Sequence, residues 1–171
     1  MKKLMTILGA MFIASVILTS CGGKSPELSL KKENSISGVL KGYVEIVDKS
    51  PYKIEFEESG EGDFYKETPY IVITLKSIKS IEIPSGEENS IQLDVDLIDD
   101  NDGPVQPSLF GSIPRDLDAI ESHLKSGSRE KSFKLYGYNS GKTSSDFFKD
   151  KDVSKAKFIS LNSTWNHVVG R

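Results

Sequence analysis

The sequence predicts a mostly β domain, an antiparallel β-sandwich with one short helix, and leaves a small open β-barrel as the alternative. Three observations carry that reading. Apolar and polar residues alternate with period two in Tyr52-Lys53-Ile54-Glu55-Phe56-Glu57 and again from Ile91 to Leu97, the pattern of strands with one face on a core and one in water. Turn residues punctuate the chain at short intervals, as in Asp48-Lys49-Ser50-Pro51, Pro84-Ser85-Gly86 and Asp99-Asp100-Asn101-Asp102-Gly103. Helical spacing is convincing in one stretch, Pro114 to Lys125, where Leu117, Ile120 and Leu124 form a single stripe that suits a helix covering a sheet. Pro114 stands near its first turn, Asp116 and Asp118 at its positive end, Lys125 at the other, and Gly127 is the stop.

The chain starts differently. After Lys2 and Lys3, an apolar run from Leu4 to Leu18 is interrupted only by Thr6, Gly9 and Ser15, which is signal-peptide length and too short to span a bilayer. The run ends in Leu18-Thr19-Ser20-Cys21. This order of apolar, small, small, cysteine resembles the lipobox of bacterial lipoproteins, and the resemblance covers about the first 21 residues. It implies that residues 1–20 are a lipoprotein signal peptide, that the Cys21 thiol carries lipid, and that the mature chain is held at the cell envelope, on the outer membrane. In some Gram-negative lipoproteins acidic residues directly after the cysteine direct export to the surface; here Gly22-Gly23-Lys24-Ser25 departs from that, so the periplasmic or surface face stays open. Residues 21–34, small, polar and charged, are expected to be a flexible tether. Residues 35–171 are expected to form the single sandwich domain.

Within that domain the expected strands begin with Ile36 to Leu40 and Tyr43 to Val47, with Gly38 and Gly42 at bends. The strand of Tyr52, Ile54 and Phe56 breaks at Ser59-Gly60-Glu61-Gly62-Asp63 into an acidic loop reaching Thr68. From Pro69 to Ile83, Ile71, Ile73 and Leu75 share a face before Ile78 and Ile81 drop out of register. A bulge near Ser77 or a helical turn would explain this, and β-branched content favours the bulge. Asp102-Gly103 reads as a hairpin turn with Gly103 at positive φ and Val105 starting the return strand. Ser132 to Tyr138 and Lys155 to Leu161 complete the strands, joined by a loop holding Phe147 and Phe148; Trp165 to Arg171 receives no assignment. The order resembles the immunoglobulin-like sandwiches of cell-envelope lipoproteins in architecture only, because the cysteine pair and tryptophan spacing of immunoglobulin domains are missing.

Chemistry is sparse. With Cys21 the only cysteine and assigned to lipid, disulfides, thiolate metal sites and cysteine nucleophiles are excluded by count. The net charge of −3 and the absence of a dense basic patch argue against nucleic acid and against charge-driven membrane adhesion. Asp99, Asp100 and Asp102 are weak candidates for calcium: an EF-hand aligned on Gly103 would have Ile98 as its first ligand and Leu109 as its last, so the loop reads as a turn. Asp94 and Asp96 are expected to point into solvent. Gly137 to Thr143 resembles a phosphate-binding P-loop but has three residues between its glycines where that motif has four, and Ser144 to Phe147 does not read as a helix that could hold an anion. His123, expected on the polar side of the helix, and His167 in the tail are too far apart in sequence to form a local metal pair. No catalytic residues and no cofactor are expected. The reading is a lipid-anchored envelope protein acting as a non-catalytic binding module for an envelope protein, a glycan or a small ligand. The alternatives are a calcium-dependent or carboxylate-based hydrolase of extracellular polymer, or a structural spacer. A cleft gathering carboxylates would favour the hydrolase, an exposed aromatic or apolar patch the binding module.

Overall fold

The computed structural model describes residues 25–60, 66–81, 89–105, 110–111, 117–127, 129–138, 143–150 and 153–167. Cys21 and the expected signal segment, residues 1–20, lie outside them, as do Pro84-Ser85-Gly86 and residues 114–116. The elements are β1 (Ser29–Leu30), β2 (Val44–Ile46), β3 (Glu55–Ser59), β4 (Lys66–Ser77), β5 (Asn89–Ile98), β6 (Phe110–Gly111), α1 (Leu117–Lys125), β7 (Glu130–Tyr136), α2 (Ser144–Asp150) and β8 (Phe158–His167). They form two sheets. One runs β1-β8-β5-β6; in the other, β4 pairs with β2 and β3 along one edge and with β7 along the other. A single apolar core collects side chains from both, as a sandwich requires.

The longest ladder joins β5 and β8, antiparallel from Asn89↔His167 to Ile98↔Phe158. Alternation decides which face of it is buried: Ile91, Leu93, Val95 and Leu97 on β5, and Ile159, Leu161 and Ser163 on β8, are all essentially inaccessible. The strand expected over Lys155 to Leu161 therefore starts later and continues through Trp165 to His167. Alternation holds equally in the second sheet, where Ile71, Ile73 and Leu75 of β4 and Phe133 and Leu135 of β7 are buried in the core. Strand β4 ends at Ser77, and beyond it the Tyr43 carbonyl accepts hydrogen bonds from both Ile78 N–H (2.8 Å) and Lys79 N–H (3.3 Å), two residues opposing one in the manner of a bulge. Ile78 is turned out to solvent and Ile81 back into the core.

Several expectations need correction. Pairing of β3 with β4 extends to Ser59↔Lys66, so the acidic loop expected up to Thr68 is shorter and its flanks are strand. Phe147 and Phe148 lie on a second short helix, α2, where Phe147 is buried and both rings meet Phe56 edge-on at centroid distances of 5.6 and 5.5 Å. Ile36 to Leu40 is no strand of its own: it makes one bridge, Ile36↔Leu161, and then a short 3₁₀ turn over Gly38–Leu40.

The largest departure is the tether. Residues from Ser25 onward are packed: Leu28 is completely buried, its N–H donates to Tyr52 O (3.0 Å) and its carbonyl accepts Tyr52 N–H (2.7 Å). Ser29 and Leu30 add a parallel strand to the edge of β8, with Ser29 N–H on Lys157 O (2.8 Å) and Lys31 N–H on Ile159 O (2.9 Å). After a short excursion through Asn34, at φ 56°, the chain rejoins β8, with Leu161 N–H on Ser35 O (2.8 Å) and Ser37 N–H on Leu161 O (2.9 Å). The physical reason is local: Leu28 and Leu30 alternate with Ser29 beside a strand edge whose backbone groups need partners. Gly38 then passes so close to β8 that a Cβ there would lie 1.8 Å from the Ser163 carbonyl oxygen, at a φ of 78° that already favours glycine. Buried Ser163 locks this crossing, its Oγ donating to Ser37 O (2.7 Å) and accepting Leu40 N–H (3.0 Å).

Two outcomes follow for urea unfolding. Leu28→Ala is expected to cost about 2–5 kcal/mol as a buried-leucine cavity, and a chain shortened to start at Ser35 should lose at least as much; stability within about 0.5 kcal/mol of the intact domain would mean that the segment does not pack. Gly38→Ala is expected to destabilise by more than about 3 kcal/mol, because backbone clash adds to left-handed strain.

Candidate functional site

The acidic turn is organised around one carboxylate. Asp99 Oδ1 accepts the N–H groups of Asn101 (2.8 Å) and Gly103 (2.8 Å), while Asp99 N–H donates to Gly103 O (2.9 Å). The residue at positive φ is Asp102 (62°), not Gly103 as expected; a Cβ at Gly103 would come within 3.1 and 3.2 Å of the Asp99 carboxylate oxygens, a tight contact that the carboxylate would have to yield to. Asp102 pairs with Lys31 at 3.1 Å, and Asp100 is exposed. The three candidate calcium ligands thus serve a turn, solvent and an ion pair, and among the described residues no group of three or more His, Cys, Asp or Glu is placed to hold a metal.

Residues 139–142 of the P-loop-like stretch lie outside the described residues; Thr143 leads into the seven-residue α2, a short helix where a loop was expected. Carboxylates occupy its first turn. Asp146 Oδ2 accepts Thr143 N–H (3.1 Å) and Oγ1–H (2.9 Å), and Glu67 Oε2 accepts Ser144 N–H. Two carboxylates where a phosphate would sit repel it.

His123 is not on a polar face. It is 4 % exposed, its ring meets Phe133 edge-on at 5.5 Å, and its hydrogen bond goes to the Leu75 backbone. Nε2 has no hydrogen-bond partner among the described residues. Burial first, and the Lys131 ammonium second, hold its pKa below the ordinary imidazole value, overriding the favourable position in the last turn of α1. The recess beside it, about 290 Å³ lined by Ser122, His123, Ser126, Arg129, Glu130 and Lys131, mixes charges of both signs. His167 closes the β5–β8 ladder opposite Asn89, so the two imidazoles belong to different elements.

The arrangement with the most surface chemistry lies on the outward face of β3-β4-β7, which sequence alone does not single out. Cross-strand register places Glu55, Tyr70 and Tyr136 in one row, with Val72 beside Lys134 in the next. The Tyr70 hydroxyl donates to Glu55 Oε2 (2.6 Å); Glu57 Oε2 accepts both the Tyr136 hydroxyl (3.1 Å) and Lys134 Nζ (3.0 Å). Lys134 Nζ also stands 4.4 Å from the Tyr70 ring centroid, and the two tyrosine rings are 5.9 Å apart. The hydrogen bond to Glu55, then burial, raises the Tyr70 pKa, and the bond to Glu57 raises that of Lys134, so the phenol and the ammonium keep their protons. Tyr138, 71 % exposed with Lys66 Nζ 5.8 Å from its ring, and Val72, 40 % exposed, extend the patch. The result is a pre-ordered aromatic surface with carboxylate acceptors and an ammonium in fixed positions, able to stack on and hydrogen-bond a polar partner.

The outward face of the other sheet is polar. Gln92, Asp94 and Asp96 of β5 stand opposite Thr164, Asn162 and Ser160 of β8, and Gln92 Nε2 donates to Asp94 Oδ1 (3.0 Å). Asp94 and Asp96 do point away from the core but are half-buried rather than free in solvent; burial, then the neighbouring Asp94 charge, raises the Asp96 pKa.

No family model, no curated protein and no solved structure matches the chain.

Asp96 and His123 set pH dependences of opposite sign. The Asp96 carboxylate is harder to ionise folded than unfolded, so its contribution is intact below the ordinary value of 3.8 and lost as pH rises through the elevated one. Asp96→Asn should therefore raise the melting temperature at pH 7 and leave it unchanged at pH 3; an equal effect at both would refute the burial argument. Neutral His123 contributes above its ordinary 6.5, and that contribution falls away on acidification. His123→Met should flatten stability between pH 7 and pH 5 relative to the parent, and an unchanged slope would assign it to other groups. For the acidic turn, Asp100→Asn with Asp102→Asn is expected to change stability by less than about 1 kcal/mol, with or without calcium, whereas Asp99→Ala costs about 0.5–1.5 kcal/mol by removing hydrogen bonds that shape the turn. A calcium-dependent melting shift that the double variant abolishes would reinstate the metal site.

Proposed function

We propose that the protein is a lipid-anchored, non-catalytic interaction module of the bacterial cell envelope, attached through Cys21 and contacting its partner through the tyrosine face of β3-β4-β7. The observation that carries this reading is the row Glu55-Tyr70-Tyr136 with Lys134: aromatic rings at the surface, held by carboxylates and an ammonium, in a sheet rigid enough to present them without reorganisation. Half-buried tyrosine rings at a sheet surface, with the exposed Tyr138 beside them, favour a contact surface over a catalytic one. The carboxylates support the same reading, since Glu55 and Glu57 each serve a tyrosine, and Asp102 a lysine.

The two parts of the proposal are tested separately. Cys21→Ser should leave the domain folded but abolish acyl-chain labelling and membrane retention; retention without the thiol would refute the lipid anchor. A photo-crosslinking side chain at Val72, in the row beside the tyrosines, should form adducts with an envelope component in cells, and the same group at Thr164 on the other sheet should not. Equal adduct formation at both positions would remove the tyrosine face from the reading.

A further inference from the structure

Because β1 packs, the leash is short. Ser25 follows Cys21 by only four positions in sequence, and at about 3.5 Å per residue such a stretch cannot exceed about 14 Å. Ser25 is already seated on the domain: its Oγ accepts Ile54 N–H at 3.1 Å. Ile54 precedes Glu55, and Glu55, Tyr70 and Tyr136 are successive cross-strand neighbours, each step about 5 Å. The tyrosine row therefore begins next to the residue that holds the leash.

From this placement we infer that the tyrosine face contacts the headgroup layer of the bilayer in which the chain is anchored, an inference that rests on the lipid anchor at Cys21. Tyrosine suits that layer, with an apolar ring and a hydroxyl that stays wet. The charges match as well: Glu55 and Glu57 can meet headgroup ammonium, and Lys134 and Lys66 headgroup phosphate, so the face complements a zwitterionic surface without the basic excess that anionic lipid would select. On this account the lipid provides the attachment and the face sets the orientation, laying β3-β4-β7 toward the membrane and leaving the polar face of β5 and β8 outward.

The test uses the full acylated chain in phosphatidylcholine vesicles carrying a headgroup-attached quencher. Cys21 is the only cysteine, and acylation blocks its thiol, so Val72→Cys and Thr164→Cys each accept one fluorophore. The Val72 label is expected to be quenched several-fold more than the Thr164 label, and Tyr70→Ser with Tyr136→Ser to bring the two together while the melting curve stays cooperative. Equal quenching of the two labels in the parent chain overturns the inference, as does undiminished Val72 quenching in a folded tyrosine variant. Failure of the acylated chain to float with vesicles at all would instead remove the anchor itself.

Discussion

The ladder between β5 and β8 is the interaction on which the rest of the structure depends. Its paired backbones extend from Asn89↔His167 to Ile98↔Phe158, and the inward side chains Ile91, Leu93, Val95 and Leu97 of β5 and Ile159 and Leu161 of β8 form an apolar surface in which Ser163 is also buried. Each neighbour uses a part of it that is already in place: β6 pairs with β5 at Asp94 and Val95, α1 packs on β5, and the N-terminal segment takes the free edge of β8. Closing it requires bringing the last described strand to one from the middle of the chain, so the pairing carries a loop-closure cost in entropy. The apolar area it buries at about 25 cal/mol per Å² is what offsets that cost.

Ser163 shows how a polar residue can sit in that surface. Its hydroxyl is fully used, donating to Ser37 O and accepting Leu40 N–H, so the only polar side chain among the inward residues of β8 from Ile159 to Ser163 fastens the N-terminal crossing rather than weakening the core. The missing side chain of Gly38 makes room for the same contact. A segment of polar composition is thereby converted from a spacer into a structural edge, and the stretch between Cys21 and the first packed residue shrinks to a few positions.

Legible in the sequence is the parity of residues within strands. The alternation through Ile71, Ile73 and Leu75, and through Ile91, Leu93, Val95 and Leu97, depends only on neighbours two positions away, and all of these residues are buried. Two sheets follow from that parity and from the turn residues between them. Hidden are the features that depend on register between distant strands. Tyr70 and Tyr136 become neighbours only through the pairing of β4 with β7, and Glu55 joins them only through its own pairing with Tyr70. Leu28 and Leu30 are too few to order their surroundings by composition, because what orders them is the edge at Phe158 and Ile159, at the far end of the chain. His123 is hidden for a related reason: the stripe of Ile120 and Leu124 locates the helix face on β5, but β7 supplies a second wall through Phe133.

The functional reading joins these two long-range features, a docked N-terminal strand and a tyrosine row that starts beside it. If β1 were loose, the domain could stand well clear of a membrane and the position of the tyrosines would carry no information about their partner. Native-state hydrogen exchange at Leu28, Ser29 and Lys31 tests this most directly, since each of these amides donates to a backbone carbonyl of Tyr52, Lys157 or Ile159. The expected result is protection that places these amides with the packed edge of β8, far slower than an unstructured chain. Exchange at the rate of free peptide, while β5 and β8 remain protected, would contradict the account at its centre.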